Sequence, residues 1–287
     1  MLSVPRVAAI MLLMPPMSSV MESHSGQSFI RSTAFGYVDV DAESAESATE
    51  EGNAAYRSAG SVLNLADARF GIVDSDYTTS RWGDRSPDGL PVYVWTFRKS
   101  STNRTLPPPV YLLRHEIGHD LFVRYLVPST KRDQYGGDAP DWLDEMAAVA
   151  FEGEALKAIR RRAAVRYARE AKLIPLQRFL TMVHPEMAKG SIPTSSGQLA
   201  PVFEARSNET LQFYSTATAF YDFLVIRTKS AAIIAQLAAA FRDGENLDQW
   251  ILARTGYEER ENGIEALNAD FLTWIACDPD YGGGASR

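Results

Sequence analysis

The stretch Arg114-His115-Glu116-Ile117-Gly118-His119-Asp120 places two histidines four residues apart, with a glutamate directly after the first. In a helix, residues at this spacing lie about 40° apart around the axis and one turn along it, so both imidazoles can reach one metal ion. Glu116 then lies beside the ion, where a carboxylate can take a proton from a metal-bound water whose pKa is lowered to about 7. This HExxH pattern predicts a zinc site with His115 and His119 as ligands and Glu116 as general base.

Histidines at this spacing can also be two ordinary helix residues, one half-buried and one solvated. The chain has only four histidines, and two of them flank the required glutamate. The surrounding residues are mostly apolar, namely Leu112, Leu113, Ile117, Leu121, Phe122, Val123 and Leu126. Such a helix is expected to be buried, and buried imidazoles and carboxylates need partners, which favours the zinc interpretation.

Two histidines leave a third ligand to be found. The extended pattern HExxHxxGxxH needs a glycine and a histidine where this chain has Phe122 and Tyr125, so that family of zinc enzymes is excluded. The alternative is a glutamate from a second helix, and Glu145 lies within an almost continuously apolar run. An inward carboxylate needs a cation, so Glu145 is the predicted third ligand, with Glu152 as the next candidate on the same helix.

The segment Trp142-Leu143-Asp144-Glu145-Met146-Ala147-Ala148, downstream of the HExxH pattern, resembles the corresponding segment of the gluzincins. These are the thermolysin-like and peptidase MA-like zinc metallopeptidases, in which HExxH is followed by Trp-Leu-x-Glu-Gly-x-Ala. Met146 stands where glycine is usual. The resemblance implies His115, His119 and Glu145 as ligands of one zinc ion. It also implies that Glu116 is the general base in peptide hydrolysis.

A zinc peptidase also needs a donor for the oxyanion of the tetrahedral intermediate. Residues 211–224 are similar to the tyrosine-rich helix of peptidase MA-like proteins, which makes Tyr214 the first candidate and His184 the second. Either side chain can instead be structural, because buried tyrosine hydroxyls usually bond a backbone partner. Asp120 could orient a ligand histidine, although an i,i+4 pair with Arg124 is the favoured role.

The remaining patterns predict an α+β protein that is predominantly helical. Residues 41–65 read as an amphipathic helix, and residues 70–73 and 92–97 as short strands. In gluzincins an edge strand beside the metal helix binds the substrate backbone, and residues 92–97 form either that edge strand or a core strand. Helices are predicted over residues 143–171, 211–228, 231–242, 247–255 and 263–277. Five arginines of the first are expected to form a solvated face, namely Arg160, Arg161, Arg162, Arg166 and Arg169.

The predicted domain organisation has two lobes, at residues 26–128 and 129–279. The first carries the strands and the HExxH helix, and the second is all-helical and carries the third zinc ligand. A loop rich in glycine and proline joins them, and the zinc ion is expected at the floor of a cleft between the lobes. Residues 280–287 are expected to be a flexible tail.

The N-terminal segment, residues 1–25, contains an apolar run that is too short to span a bilayer. It reads either as a signal for export or as a disordered start, and export is predicted. No other run is long and apolar enough for a membrane span. The net charge of −7 argues against a nucleic-acid or anionic-membrane partner. The single cysteine, Cys277, excludes a disulfide within the chain and a cysteine-based metal site.

The predicted function is that of a zinc-dependent metallopeptidase acting on peptide or protein substrates. The chain lacks the Gly-x-Met-Glu-Asn segment of the aminopeptidase branch, which favours an endopeptidase. Two alternatives stay open. One is a non-catalytic protein that uses zinc to stabilise a peptide-binding surface or scaffold. The other is a zinc hydrolase of a non-peptide amide or ester, which would share the same site chemistry.

Overall fold

The computed structural model describes residues 29–40, 42–74, 89–95, 110–130, 137–185, 191–193, 199–201, 208–277 and 281. The predicted signal segment at residues 1–25 lies outside these ranges, so export stays a prediction. Within them the chain forms a small sheet and a larger helical body. The predicted α+β class with predominantly helical content is therefore confirmed.

A four-stranded mixed sheet is built from the first third of the chain. Its strands, in spatial order, are β1 (Phe29–Thr33), β2 (Gly36–Val40), β3 (Phe70–Asp74) and β4 (Val92–Trp95). β1 and β2 form an antiparallel hairpin, whereas β2, β3 and β4 run parallel. Gly36 has φ +138°, and a Cβ there would lie 2.2 Å from the carbonyl oxygen of Phe70, so the turn requires glycine. Within the described residues β4 pairs only with β3 and lies at the sheet edge.

Helices make up most of the rest of the described chain. They are α1 (Ala45–Leu63), α2 (Val110–Leu121), α3 (Asp141–Phe151), α4 (Glu154–Arg169), α5 (Leu176–Phe179), α6 (Asn208–Thr228), α7 (Ile233–Arg242), α8 (Leu247–Thr255) and α9 (Gly263–Cys277). α2 continues into a π-helical turn at Phe122–Leu126, and two short strands, β5 (Ser191–Pro193) and β6 (Leu199–Pro201), form a separate antiparallel pair. None of the described helices is by itself long and apolar enough to cross a membrane. Only α6 and α7 taken together, with a 93° bend between them, meet that criterion by length and composition.

The predicted single helix over residues 143–171 is wrong, because the chain breaks into α3 and α4 at Glu152 and Gly153. Both residues have extended ψ angles, 152° and 154°. A Cβ on Gly153 would lie 2.2 Å from the guanidinium of Arg114, so this glycine lies directly against a side chain of the HExxH helix. The break ends the buried helix α3 at Glu152, whose carboxylate belongs to the site described below.

The hydrophobic core is one continuous cluster that includes residues of both predicted lobes. It contains Phe70 of β3, Ile117 of α2, Val149 of α3 and Phe220 of α6. α3 is buried from its second residue to its last and is the central helix of the core. The predicted boundary at residues 128 and 129 therefore does not separate two cores, and the cleft between lobes stays a prediction.

Tyr281 lies within the predicted tail but is packed against the helical body. Its ring centroid is 4.3 Å from that of Trp274, and its hydroxyl donates to Asp222 Oδ2 at 3.2 Å. The tail prediction is wrong at this residue, because its ring is buried. The other residues of the range 280–287 lie outside the described part of the chain.

Candidate metal centre

The centre forms where the HExxH helix α2 packs against α3. Gly118 of α2 makes the approach possible, because a Cβ there would lie 3.0 Å from the Cα of Ala148 and 3.1 Å from the carbonyl oxygen of Ala147. The backbones of α2 and α3 therefore approach each other too closely at Gly118 for a larger side chain to fit without a shift. This close contact brings the histidines of α2 within reach of the Glu145 carboxylate on α3.

The three predicted ligands lie together. One donor atom from each of His115, His119 and Glu145 lies within 4.8 Å of the others. The two Nε2 atoms are 3.1 Å apart, and each lies 3.7 Å from one oxygen of Glu145. An ion with tetrahedral bonds of about 2.0–2.2 Å separates its ligands by about 3.3–3.6 Å. The group therefore has the dimensions needed to hold a metal ion.

The Glu145 carboxylate is fully buried, and neither of its oxygens has a hydrogen-bond partner closer than the 3.5 Å contact with His184. Its nearest polar neighbours are three imidazole nitrogens, with His184 Nε2 at 3.5 Å and those of His115 and His119 at 3.7 Å. These separations exceed the usual hydrogen-bond range of about 2.7–3.2 Å. Burial alone would raise the pKa of Glu145, but the three imidazoles lower that pKa to about 2. An ionised carboxylate held in this way needs a cation.

Two further carboxylates fix the orientation of the ligand histidines. Nδ1 of His115 lies 2.8 Å from Glu152 Oε1, and Nδ1 of His119 lies 2.9 Å from Asp144 Oδ2. With the Nδ1–H of His115 directed to Glu152 and the Nδ1 of His119 paired with Asp144, the Nε2 atom of each ring faces the centre. Two lone pairs facing each other at 3.1 Å repel unless a proton or a metal ion lies between them. Sequence reasoning considered Glu152 only as a substitute ligand and missed this role of Asp144.

The electrostatics of the site favour positive charge. Burial opposes the charged form of His119, but the carboxylates of Asp144, Glu145 and Glu116 outweigh burial and raise the pKa of His119 to about 10. Glu116 is half-buried, so its side chain lies between the metal centre and solvent. Without a metal ion, a proton on His119 thus supplies part of the positive charge that the carboxylates require.

Asp120 has the pairing that the sequence favoured. Its carboxylate accepts hydrogen bonds from Arg124 at 2.9 and 3.0 Å, which confirms the i,i+4 pair. It also accepts a hydrogen bond from the Tyr93 hydroxyl at 2.6 Å. This second bond ties the edge strand β4 to the HExxH helix.

Both candidates for the oxyanion donor lie beside the ligand group. The Tyr214 ring is 5.9 Å from the His115 ring in an edge-on arrangement and 5.6 Å from the His184 ring. His184 is buried, and its backbone N–H donates to Asp141 Oδ2 at 2.7 Å. The structure therefore brings both side chains to the centre, and their catalytic roles stay predictions.

The predicted solvated arginine face is wrong for two of its five members. Arg160 is buried, its Nε donates to Glu152 Oε2 at 2.7 Å, and its Nη2 donates to Oε1 of the same carboxylate. Arg161 is half-buried and binds Asp222 at 2.8 Å. The other three, Arg162, Arg166 and Arg169, are exposed as predicted. A signal for Arg160 was present, because the buried Ala164 and Tyr167 follow it at helical spacing.

Comparison of the chain with protein-family models, curated proteins and solved structures gives no match. Within the described ranges, His115, His119 and Glu145 are the histidine and acidic residues placed to share a metal ion. The functional argument therefore rests on this group and on the residues that surround it.

Proposed function

We propose that the protein is a zinc-dependent metallopeptidase of the gluzincin type that cleaves peptides or proteins internally. The observation that carries the proposal is the fully buried Glu145 carboxylate, whose nearest polar neighbours are three imidazole nitrogens at 3.5–3.7 Å. A bound metal ion would compensate this buried charge, which a proton on His119 compensates only in part when no ion is bound. Two histidines and one glutamate are the ligand set of several catalytic zinc sites, in which the fourth position stays open.

The donor types favour zinc over magnesium and calcium. Magnesium and calcium bind through oxygen ligands, whereas two of the three donors here are imidazole nitrogens. The carboxylates of Glu152 and Asp144 bound to the imidazole Nδ1 atoms add the outer support that zinc-binding histidines usually have. Three protein ligands also leave room for a water or a substrate oxygen.

The residues around the centre suit peptide hydrolysis. Zinc, when bound, would supply a water of lowered pKa and polarise the scissile carbonyl. Glu116 follows His115 directly on α2, and we assign it to take the proton of the attacking water and pass it to the leaving amine. Tyr214 is assigned to donate its hydroxyl to the developing oxyanion, with His184 as the next candidate.

The position of β4 supports a polypeptide substrate. An extended peptide can pair with an exposed sheet edge through backbone hydrogen bonds. β4 lies at the edge of the described sheet, and the bond from Tyr93 to Asp120 holds it against the helix that carries both histidines. A substrate strand paired with β4 would thus be held at a fixed position relative to the metal ligands.

The test is cleavage of a mixed peptide library by the purified, zinc-reconstituted protein, with and without a chelator. We expect internal cleavage that stops with the chelator and returns with added zinc. Glu116→Gln should retain one zinc ion and lose about 10²–10⁴-fold in rate, since general base catalysis contributes that much. Glu154→Gln removes the same charge at an exposed position and is the matched control.

Three outcomes would redirect the proposal. Zinc binding without cleavage of any peptide would select the non-catalytic peptide-binding or scaffold function. Hydrolysis of small esters or amides alone would select the non-peptide hydrolase. Full activity in Glu116→Gln would show that Glu116 is not the base.

A further inference from the structure

Arg160 contacts two residues next to the metal centre, Glu152 and Tyr214. It lies on α4, outside the HExxH helix and outside the helix of Glu145. We infer that Arg160 is a positioning residue that couples the metal ligand His115 to Tyr214, an inference that rests on the proposed function. Its guanidinium fixes the carboxylate that holds the imidazole and packs on the ring proposed to stabilise the oxyanion.

The first contact runs through Glu152. Arg160 donates from Nε and Nη2 to the two oxygens of this carboxylate. The oxygen that accepts from Nη2, Oε1, also lies 2.8 Å from Nδ1 of His115. A planar guanidinium bound to both oxygens fixes the carboxylate in rotation as well as position. The orientation of the His115 imidazole therefore depends on where Arg160 lies.

The location of Glu152 explains why an arginine is needed there. Its carboxylate is buried at the C-terminal end of α3, where the helix dipole is negative. A buried carboxylate in such a place is destabilising without a cation and further hydrogen bonds. Arg160 is itself buried and supplies both.

The second contact is with Tyr214. The Arg160 guanidinium carbon lies 4.3 Å from the centroid of the Tyr214 ring, within range for a cation–π contact. The same ring meets the His115 ring edge-on at 5.9 Å. Each of these four residues thus contacts two of the others: His115 contacts Glu152 and Tyr214, and Arg160 contacts the same two residues. A displaced Arg160 would disturb both the metal ligand and the tyrosine.

A simpler role would be neutralisation of the Glu152 charge, and lysine distinguishes the two. Lysine keeps the positive charge, but it has neither the planar fork that binds both carboxylate oxygens nor a flat face for the tyrosine ring. If neutralisation is the whole role, Arg160→Lys should behave as wild type. If Arg160 positions its neighbours, Arg160→Lys should fail in the same direction as Arg160→Gln.

The experiment measures zinc affinity by competition with a chelator and the visible absorption spectrum of the cobalt-substituted protein. Arg160→Gln and Arg160→Lys should each weaken zinc binding by about 10–100-fold, the usual effect of losing an outer partner of a ligand histidine. Both should also alter the cobalt spectrum. With saturating zinc, both should lower kcat more than they raise KM. Arg162→Gln, at an exposed position of the same helix, is the control and should match wild type in all three measurements.

Tyr214 provides a second arm. Tyr214→Phe keeps the ring and should leave the cobalt spectrum as in wild type, whereas Tyr214→Leu removes the ring and should change it. If Arg160→Gln fails to fold by circular dichroism, Arg160→Lys and the two Tyr214 variants carry the test. If Arg160→Lys has the zinc affinity and the cobalt spectrum of the wild type, the inference about Arg160 is wrong, whereas the proposed function is unaffected. Absence of zinc binding by the wild-type protein would instead overturn the proposed function.

Discussion

Glu145→Gln is expected to weaken zinc binding by about a thousandfold while leaving the fold intact. Glutamine has nearly the same volume as glutamate, so it fits the fully buried position on α3. The change removes the negative charge between three imidazoles and replaces one oxygen with an amide nitrogen, which cannot bind a metal ion. Loss of affinity can therefore be attributed to the missing ligand and not to a cavity.

The magnitude follows from the charges and their separation. At an effective dielectric constant of about 20, two unit charges about 4 Å apart interact by about 4 kcal/mol. The site is of that scale, since each Nε2 lies 3.7 Å from a Glu145 oxygen. Zinc carries two charges and would lie closer than this, which increases the loss, whereas Glu145 also stabilises the proton on His119 that zinc displaces, which reduces it. At about 1.4 kcal/mol for each tenfold change, about 4 kcal/mol corresponds to a loss of about a thousandfold.

The assay is zinc titration against a chelator of known affinity, with circular dichroism to verify the fold. Glu152→Gln should lose only about 10–100-fold, because Glu152 contacts His115 Nδ1 and not the metal position. Glu154→Gln, at an exposed position, should equal wild type. A Glu145→Gln protein that binds zinc within tenfold of wild type would refute the assignment. A larger loss in Glu152→Gln than in Glu145→Gln would make Glu152 the third ligand.

Three further predictions concern packing, pH and an outer carboxylate. Gly118→Ala should lower the free energy of unfolding by about 1–3 kcal/mol, measured by urea denaturation, because the added Cβ would lie 3.0 Å from the Cα of Ala148. In the metal-free protein, the raised pKa of His119 gives stability that is complete below pH 6.5 and lost as pH rises through about 10. The lowered pKa of Glu145 gives stability that is complete above pH 4.5 and lost as pH falls through about 2, so melting temperatures should be highest between pH 4.5 and 6.5. A melting temperature that stays constant from pH 7 to 10 would contradict this account. Asp144→Asn should weaken zinc binding by about 10–100-fold and flatten the decline above pH 6.5, and unchanged affinity would remove Asp144 from the site.

The grouping of His115, His119 and Glu145 could be predicted from the sequence because its signals are local. His115 and His119 are one helical turn apart, so their shared face follows from backbone geometry alone. Glu145 could be identified because a charged residue within an apolar helical run must point towards a partner. Its full burial agrees with that reasoning.

The helix break and the hairpin could not be predicted in the same way. Residues 143–171 keep helical spacing across the break, and a glycine inside such a pattern is only mildly unfavourable. At the break, Gly153 lies against the guanidinium of Arg114 from another helix, a contact between distant segments that the local pattern does not contain. The hairpin of β1 and β2 had no prediction, and its turn depends on the fit of Gly36 against Phe70. Contacts between distant segments decide both features.

The outer carboxylates show how a longer sequence pattern could be more informative than the ligands alone. Along α2 the order is His115 then His119, whereas their partners on α3 are Glu152 and Asp144. The earlier histidine therefore pairs with the later carboxylate, and the later histidine with the earlier one. This order corresponds to an antiparallel arrangement of α2 and α3. In this structure the partners are the carboxylate directly before Glu145 and the one seven residues after it. The pairing of these two carboxylates with the two histidines therefore carries information on the relative direction of α2 and α3 that the three candidate ligands alone do not.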